Sequence, residues 1–124
     1  MITFPRELHL WLQSLNLTYK ITNPKRDLSN GWLFAEILSR YAPLFAYRCR
    51  YYPDEIEMYQ YDNGFKLDKK TNNWEHLSKF FKRKQLAVAF ADYDPVIHCA
   101  PDAGYKLLKK FYKILTGREY AHNR

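Results

Sequence analysis

The 124-residue sequence has few of the residues that build disulfide frameworks, metal centres or phosphate-binding loops. Its only cysteines, Cys49 and Cys99, lack metal-binding spacing and fit two reduced thiols better than a disulfide scaffold. The four glycines, at positions 31, 64, 104 and 117, are too dispersed to form a glycine-rich phosphate loop. These absences argue against zinc-stabilised, disulfide-rich and nucleotide-binding classes of protein.

Clusters suited to acid–base or metal chemistry are also missing. The histidines at positions 9, 76, 98 and 122 share no ligand spacing, and the neighbours His98 and Cys99 would point in different directions on a helix. The carboxylates at positions 54, 55 and 57, and at 92 and 94, do not follow EF-hand spacing and suit solvated faces or helix caps. We therefore expect a protein that is not an enzyme and that uses no metal or other cofactor.

Long hydrophobic runs are absent, so the sequence predicts no membrane span, and the N-terminal segment becomes charged too early for a secretory signal. Apolar residues nevertheless make up 47% of the chain, and the 11 Tyr, 8 Phe and 3 Trp can fill a small core efficiently. The length is typical of one domain. We expect a cytosolic protein with one domain over residues 1–118 and a polar tail over residues 119–124.

Apolar residues recur at three- and four-residue spacing in four stretches, which predicts an all-α fold with four main helices. The first begins at Pro5 and ends near residues 15–16, the second follows a cap at Asp27 or Ser29, and the third covers about 70–84. The last opens at Pro101 or Asp102 and stops at Gly117. The predicted core residues on these helices are Leu8, Trp11, Leu12, Trp32, Leu33, Ile37, Trp74, Leu77, Leu107 and Phe111.

The connecting segments predict loops with one or two short helices. Pro43 and Pro53 interrupt regular structure within residues 42–61, and a short helical turn is expected near residues 54–58. Residues 62–64 read as a turn, and because their flanks lack strand alternation we predict a loop instead of a hairpin. A second short helix is expected to start at Asp94–Pro95 and to end near His98.

Positive charge is the strongest functional signal in the composition. The formal net charge of +7 predicts attraction to a polyanion, which could be nucleic acid, an anionic membrane face or an acidic protein surface. Any one basic cluster could equally be an ordinary solvated helix face. The clusters are Lys20, Lys25 and Arg26; Lys66, Lys69 and Lys70; Lys79, Lys82, Arg83 and Lys84; and Lys106, Lys109, Lys110 and Lys113.

A mixed segment of cations and rings allows two interpretations. Arg48 and Arg50 lie among Tyr47, Tyr51 and Tyr52, a composition that suits base stacking in nucleic-acid binding. A loop that packs its tyrosines inward explains the same residues and is the favoured interpretation.

Several ordered stretches resemble the calponin-homology (CH) domains of the sperm flagellar protein 1 (CLAMP) and spermatogenesis-associated protein 4 type. The resemblance covers nearly the whole chain and is carried by RELHLWLQSLNLTY, RDLSNGWLFAEILSRY, YYPDEIEMYQYDNGFKLDKKTNNWEHLSKFF and VIHCAPDAGYKLLKKFYKILTGRE. Two departures stand out. Residues 41–50 look like a ten-residue loop insertion, and Asp102 stands where the family often has a small residue, without expected disruption.

The resemblance implies a compact calponin-homology bundle of four main and one or two short helices, which binds microtubules in the cytoskeleton of the cilium or flagellar axoneme. Acidic tubulin would then be the partner of the basic surface. Actin is a less favoured partner because actin-binding CH domains usually occur in tandem. A ciliary scaffold module with a patch at Tyr47–Tyr52 is another alternative, and specific nucleic-acid binding has only charge and aromatics in its favour. The expected contact residues are Lys20, Lys25, Arg26, Lys79, Lys82, Arg83 and Lys84.

Overall fold

The computed structural model describes residues 4–49 and 58–117 and, over residues 41–49, the course of the helix alone. These residues form six α-helices and one 3₁₀ helix without any strand, which confirms the predicted all-α class. None of the described helices is long and apolar enough to cross a membrane. The elements are α1 (Arg6–Ser14), α2 (Pro24–Asp27), α3 (Trp32–Cys49), the 3₁₀ helix (Met58–Gln60), α4 (Leu67–Arg83), α5 (Phe90–Ile97) and α6 (Ala103–Thr116).

Aromatic rings from three helices meet at the centre of the core. The ring of Phe34 on α3 lies 5.5 Å from the ring of Trp74 on α4 and 4.8 Å from the ring of Phe111 on α6. All three side chains are almost fully buried, and burying such a side chain stabilises the fold by roughly 1.5–3 kcal/mol. Helix α6 also contacts α2 and α5, so it holds much of the bundle together.

Every residue expected in the core is buried except Trp32, which is only partly buried. Trp32 is the first residue of α3, where the helix has only begun to enter the core. Its ring instead packs edge-on against the ring of Tyr19, with 5.3 Å between the ring centroids. The expectation that Trp32 is a core residue is therefore corrected to a side chain at the edge of the core, shared with the segment after α1.

The start of α3 is capped by a residue other than the two expected. The side-chain oxygen of Asn30 accepts a hydrogen bond from the Trp32 N–H at 2.9 Å. Asp27 turns back to the N-terminal end of α2, and the Ser29 hydroxyl donates to the carbonyl of Arg26 at 2.7 Å. The prediction of a cap at Asp27 or Ser29 was wrong because Asp27 belongs to the short helix α2 and Ser29 bonds back to the last turn of that helix.

A buried asparagine ties the cap of α3 to the loop before α4. Asn73 donates hydrogen bonds to the carbonyls of Asn30 at 2.8 Å and Asp62 at 2.7 Å, and it accepts one from the Asp62 N–H at 3.0 Å. The neighbouring Trp74 donates from its indole N–H to the Ser29 carbonyl at 2.9 Å. Because a buried polar group without a partner is costly, this set of bonds specifies how α4 meets the start of α3.

Helix α3 continues to Cys49, so residues 41–49 are helical and not the surface loop expected for the insertion at residues 41–50. A proline removes one backbone hydrogen bond and can kink a helix, but Pro43 does not end this one. Residue 50 and residues 54–57 of the helical turn expected near 54–58 lie outside the described residues, and Met58 begins the 3₁₀ helix. The predicted loop at residues 62–64 is confirmed, with the Gly64 N–H donating to the Asp62 carboxylate at 2.8 Å.

Helix α5 begins at Phe90, four residues before the expected start at Asp94. The carboxylate of Asp92 accepts a hydrogen bond from the Ala89 N–H at 2.8 Å, which stabilises the first turn at this earlier position. Pro95 therefore lies inside α5, and His98 is its C-terminal cap. Helix α6 begins after Asp102 and is followed by Gly117, as the sequence predicts.

Candidate functional site

The first basic cluster lies on the segment between α1 and α3. Lys20 belongs to the loop after α1, and Lys25 and Arg26 belong to α2. All three residues are exposed. Within the described part of the chain, neither Lys20 nor Lys25 forms an ion pair, and Arg26 lies 3.5 Å from the carboxylate of Asp27. The structure therefore brings these three predicted residues together on one continuous surface segment.

A buried carboxylate anchors the loop that carries Lys20. Glu36 on α3 is only 3% exposed. Its two oxygens accept from the Thr18 N–H at 3.1 and 3.2 Å, and one of them also accepts from the Thr18 hydroxyl. The guanidinium of Arg40, one helical turn later, completes the set at 3.2 Å. Charge-assisted bonds are stronger than neutral ones, so this residue holds the loop firmly against α3.

Helix α2 is held from both ends. Pro24 is its first residue, where a proline costs no hydrogen bond. The Asp27 carboxylate accepts from the N–H groups of Thr22 at 3.0 Å and Asn23 at 2.9 Å, which closes the loop onto the helix. On the inner side, a Cβ at Gly104 of α6 would lie only 2.8 Å from a methyl carbon of the buried Leu28. The close approach of α6 thus fixes the residues that follow Lys25 and Arg26.

Aromatic residues surround this basic segment. A groove of about 220 Å³ lies between the loop at residues 19–22, the start of α3 and the loop before α4. On one wall, the guanidinium carbon of Arg26 stands 4.0 Å from the ring centroid of Phe65. On another wall, Tyr19 packs edge-on against Trp32. The site therefore combines cations with ring faces, a combination that the sequence clusters alone did not reveal.

A second, larger groove of about 490 Å³ lies on the other side of the same loop, against α1. Its walls include the apolar residues Phe4, Leu12, Leu17 and Ile21, with His9 and Lys20 among the polar contributors. The segment at residues 19–21 therefore stands as a ridge between two grooves, and Lys20 borders both of them.

The second cluster of expected contact residues, Lys79, Lys82, Arg83 and Lys84, lies at the C-terminal end of α4. Lys79, Lys82 and Arg83 are exposed, and Lys84 is partly buried. The guanidinium of Arg83 stands 5.7 Å from the ring centroid of Phe80. The same guanidinium affects the pKa of Tyr61. Burial raises the pKa of this phenol to about 12, and the nearby positive charge of Arg83 partly opposes the rise.

The two predicted clusters do not form one compact site. Arg26 contacts Phe65, just before α4 begins, whereas Lys79–Lys84 lie at the far end of this 17-residue helix. A helix of that length spans about 25 Å. Since charges in physiological salt are screened over about 8 Å, the two clusters act as separate basic surfaces.

The other two basic clusters, around Lys66–Lys70 and Lys106–Lys113, contain lysines that already contact other residues of the fold. The Lys70 ammonium donates to the carbonyl of Ile97 at 3.1 Å, at the C-terminal end of α5. Lys110 pairs with Asp92 at 2.7 Å, and Lys69 lies 3.6 Å from the carboxylate of Asp62. These contacts reduce the charge that the two clusters can offer to a partner.

Groups suited to metal binding do not come together among the described side chains of residues 4–40 and 58–117, where no three His, Cys, Asp or Glu residues converge. His98 lies 3.5 Å from a carboxylate oxygen of Asp94, one helical turn earlier. Asp92 caps α5, which accords with the expectation that this carboxylate is a structural residue. The arginine–tyrosine segment at residues 47–52 and the carboxylates at 54, 55 and 57 lie outside the described side chains.

Two important contributors were missed in the sequence. Phe65 was not singled out because it directly follows the turn at residues 62–64 and belongs to no periodic pattern. Glu36 sits within the apolar stretch WLFAEILSRY, and a charged residue at a core-facing position of a helix is the signal that could have identified it.

Comparisons with known proteins agree with this all-helical arrangement. A family model described as the CH-like domain in sperm protein matches residues 8–113. Sperm flagellar protein 1 from Homo sapiens is 31% identical over 96 residues, which cover 77% of this chain and 36% of the relative. The proteins of the same name from Bos taurus and Mus musculus are 29% and 28% identical over the same share of this chain, and over 36% and 37% of their own length.

The chain thus spans little more than a third of the length of these relatives. The family model, in contrast, extends from α1 into α6 and includes both basic clusters. Because this match covers most of the sequence and confirms the resemblance carried by its motifs, the chain belongs to the family of the CH-like domain in sperm protein.

Proposed function

We propose that the chain is a microtubule-binding module of a ciliary or flagellar axonemal protein, and that it acts by binding and not by catalysis. Its relatives are named for the sperm flagellum, and a CH-like domain is an all-helical module suited to the cytoskeleton. The partner is the acidic surface of tubulin, and the place of action is the cytoskeleton of the cilium or flagellum.

The observation that carries this proposal is the exposed, braced cluster of Lys20, Lys25 and Arg26. The backbone that carries these side chains is held in place by the Glu36–Thr18 contact and by the bonds from Thr22 and Asn23 to Asp27, so little backbone order must be gained on binding. Each exposed ion pair with tubulin would contribute only about 0–1 kcal/mol, so several cations must act together. The cluster at Lys79, Lys82, Arg83 and Lys84 supplies a second contact surface.

Cosedimentation with microtubules tests the proposal directly. We expect pelleting at low salt, weaker pelleting as salt is added, and weaker pelleting on microtubules from which the acidic tubulin tails have been removed. Absence of pelleting at low salt would contradict the proposal. Actin filaments should be tested in parallel, because pelleting with actin alone would favour an actin-binding domain.

Paired substitutions identify the contact surface. Lys20→Gln/Lys25→Gln removes two charges from the first cluster, and Lys79→Gln/Lys82→Gln removes two from the second. The matched control is Lys106→Gln/Lys113→Gln, which removes two charges from exposed positions of α6. We expect either cluster variant to weaken binding by about three- to thirtyfold and the control to change it little. Equal losses in all three would point to net charge without a defined site. Partners captured equally well at high salt would favour a scaffold module instead.

A further inference from the structure

The groove beside the first basic cluster is shaped for a side chain and not for a flat electrostatic contact. Its volume of about 220 Å³ is below the roughly 300–1,000 Å³ typical of drug-sized ligand sites, so it can hold one or two side chains. It opens between a loop fixed by Glu36 and a loop fixed by Asn30 and Asn73, which makes it a preformed feature.

The walls of the groove are aromatic. The large side chain of Tyr19 is 53% exposed. Trp32 and Phe65 are each partly buried, with part of each ring left uncovered along the groove. Rings arranged in this way favour another ring, because aromatic pairs stabilise a contact by about 0.5–1.5 kcal/mol beyond the area they bury.

The rim of the groove carries positive charge. Lys20 and Arg26 both line it, and Asp27 is the only acidic residue among the described residues that line it. One oxygen of the Asp27 carboxylate already accepts from the N–H groups of Thr22 and Asn23 and from the Thr22 hydroxyl. The other lies 3.5 Å from Arg26. Lys20 has no carboxylate partner among the described residues, so the rim favours an incoming anion.

From these contacts we infer that the groove binds an aromatic side chain that belongs to an acidic peptide segment, with the ring between Tyr19, Trp32 and Phe65 and the flanking carboxylates on Lys20 and Arg26. This inference rests on the proposed function, because it names the kind of segment that the acidic filament surface would present to the groove. The larger groove against α1 has weaker charge complementarity, since Lys20 and His9 are the only basic residues among the described residues that line it.

Peptide binding tests the inference without any filament. Short fluorescent peptides of glutamate and glycine should carry one central phenylalanine or, in the matched control, one central alanine. We expect the phenylalanine peptide to bind about two- to tenfold more tightly, measured by fluorescence anisotropy. A third peptide with glutamine in place of glutamate should bind much more weakly than either. Equal affinity for the phenylalanine and alanine peptides would overturn the inference, and this comparison needs no variant of the protein.

Variants then locate the site. Phe65→Leu keeps an apolar side chain but removes one of the three rings, so it should reduce the preference for phenylalanine while the alanine peptide binds as before. Arg26→Gln should weaken both peptides, and Lys106→Gln on α6 should weaken neither beyond its small effect on net charge. A preference that is undiminished in Phe65→Leu would overturn the location. Thermal unfolding of each variant confirms that the fold is retained.

Cosedimentation of the same proteins separates this inference from the proposed function. Pelleting of the unaltered chain without any aromatic preference would support the filament proposal and overturn the groove. Aromatic preference without pelleting would support the groove as a peptide site and contradict the filament proposal.

Discussion

The carboxylate of Glu36 on α3 accepts hydrogen bonds from both the backbone N–H and the hydroxyl of Thr18, eighteen residues earlier in the chain. The contact joins a core helix to the loop that carries Lys20. It also satisfies a carboxylate that is almost fully buried, which would otherwise be costly. The position of the loop that carries Lys20 therefore depends on Glu36, a buried residue of α3.

Replacing this carboxylate by an amide should loosen the loop. In Glu36→Gln one side-chain oxygen remains to accept from Thr18, but the ion pair with Arg40 is lost. We expect unfolding free energy to fall by about 1–3 kcal/mol in urea titrations, because a buried hydrogen-bonded charge is removed. Microtubule pelleting should weaken at a temperature where the variant is folded. The matched control is Glu75→Gln on the exposed face of α4, and an equal loss in both variants would contradict the role of Glu36.

The end of α4 offers a stabilising substitution. Gln85 has φ of 56°, its N–H bonds the Lys82 carbonyl at 3.2 Å, and the next N–H bonds the Phe81 carbonyl at 2.9 Å. This is the Schellman arrangement, in which the left-handed residue is usually glycine. Gln85→Gly should raise stability by up to about 1 kcal/mol, because relief of the left-handed strain exceeds the added entropy of the unfolded chain. Gln85→Ala keeps the strain and should bring no gain in a thermal melt, and equal melting of both variants would contradict this account.

At Gly31 the loss of a glycine is expected to destabilise the fold. Its φ is 77°, and an added Cβ would lie 3.0 Å from the indole of Trp74 and 3.1 Å from a methyl carbon of Leu77. Gly31→Ala should lower the unfolding free energy by about 2–3 kcal/mol, since it adds left-handed strain to a crowded, buried site. At Gly64 an added Cβ would meet mainly the half-exposed Asp62 side chain, which can move. Gly64→Ala should therefore cost clearly less, and the reverse order of the two variants would contradict the prediction.

The ion pair between Asp92 and Lys110 predicts a pH dependence of stability. Burial opposes ionisation of Asp92, but the hydrogen bond from Ala89 and the Lys110 ammonium outweigh it and hold the pKa of this carboxyl below its ordinary value. A lowered native pKa stabilises the fold above the unfolded value of about 3.9, and this stability is lost as the pH falls through the native pKa. The difference in unfolding free energy between the unaltered chain and Asp92→Asn should be constant near neutral pH and shrink below about pH 4.

A double-mutant cycle with Lys110→Met checks the cause. If Asp92 and Lys110 stabilise the fold through each other, the double variant should lose less stability at neutral pH than the sum of the two single variants. Strict additivity would show that the low-pH effect arises elsewhere.

The helices and most of the core could be predicted from the sequence because both depend on local periodicity. Leu8, Leu12, Leu107 and Phe111 repeat at helical spacing and are buried. Helix ends were less predictable, since they depend on which polar group reaches which backbone atom. Asn30 caps α3 and Asp92 caps the first turn of α5, although Asp27, Ser29 and Asp94 are equally good capping residues in the sequence.

The amino-acid sequence by itself determined an all-helical chain with a large aromatic core and an excess of positive charge. The charge and the aromatic content follow from composition alone, and the helices follow from apolar spacing within one or two helical turns. Only the tertiary structure decided which cations face outward together. Lys70 and Lys110 are drawn to partners on α5 or at its ends, whereas Lys20 is left exposed on a loop held by Glu36. These choices depend on contacts between residues that are far apart in the chain, which arise only when helices pack.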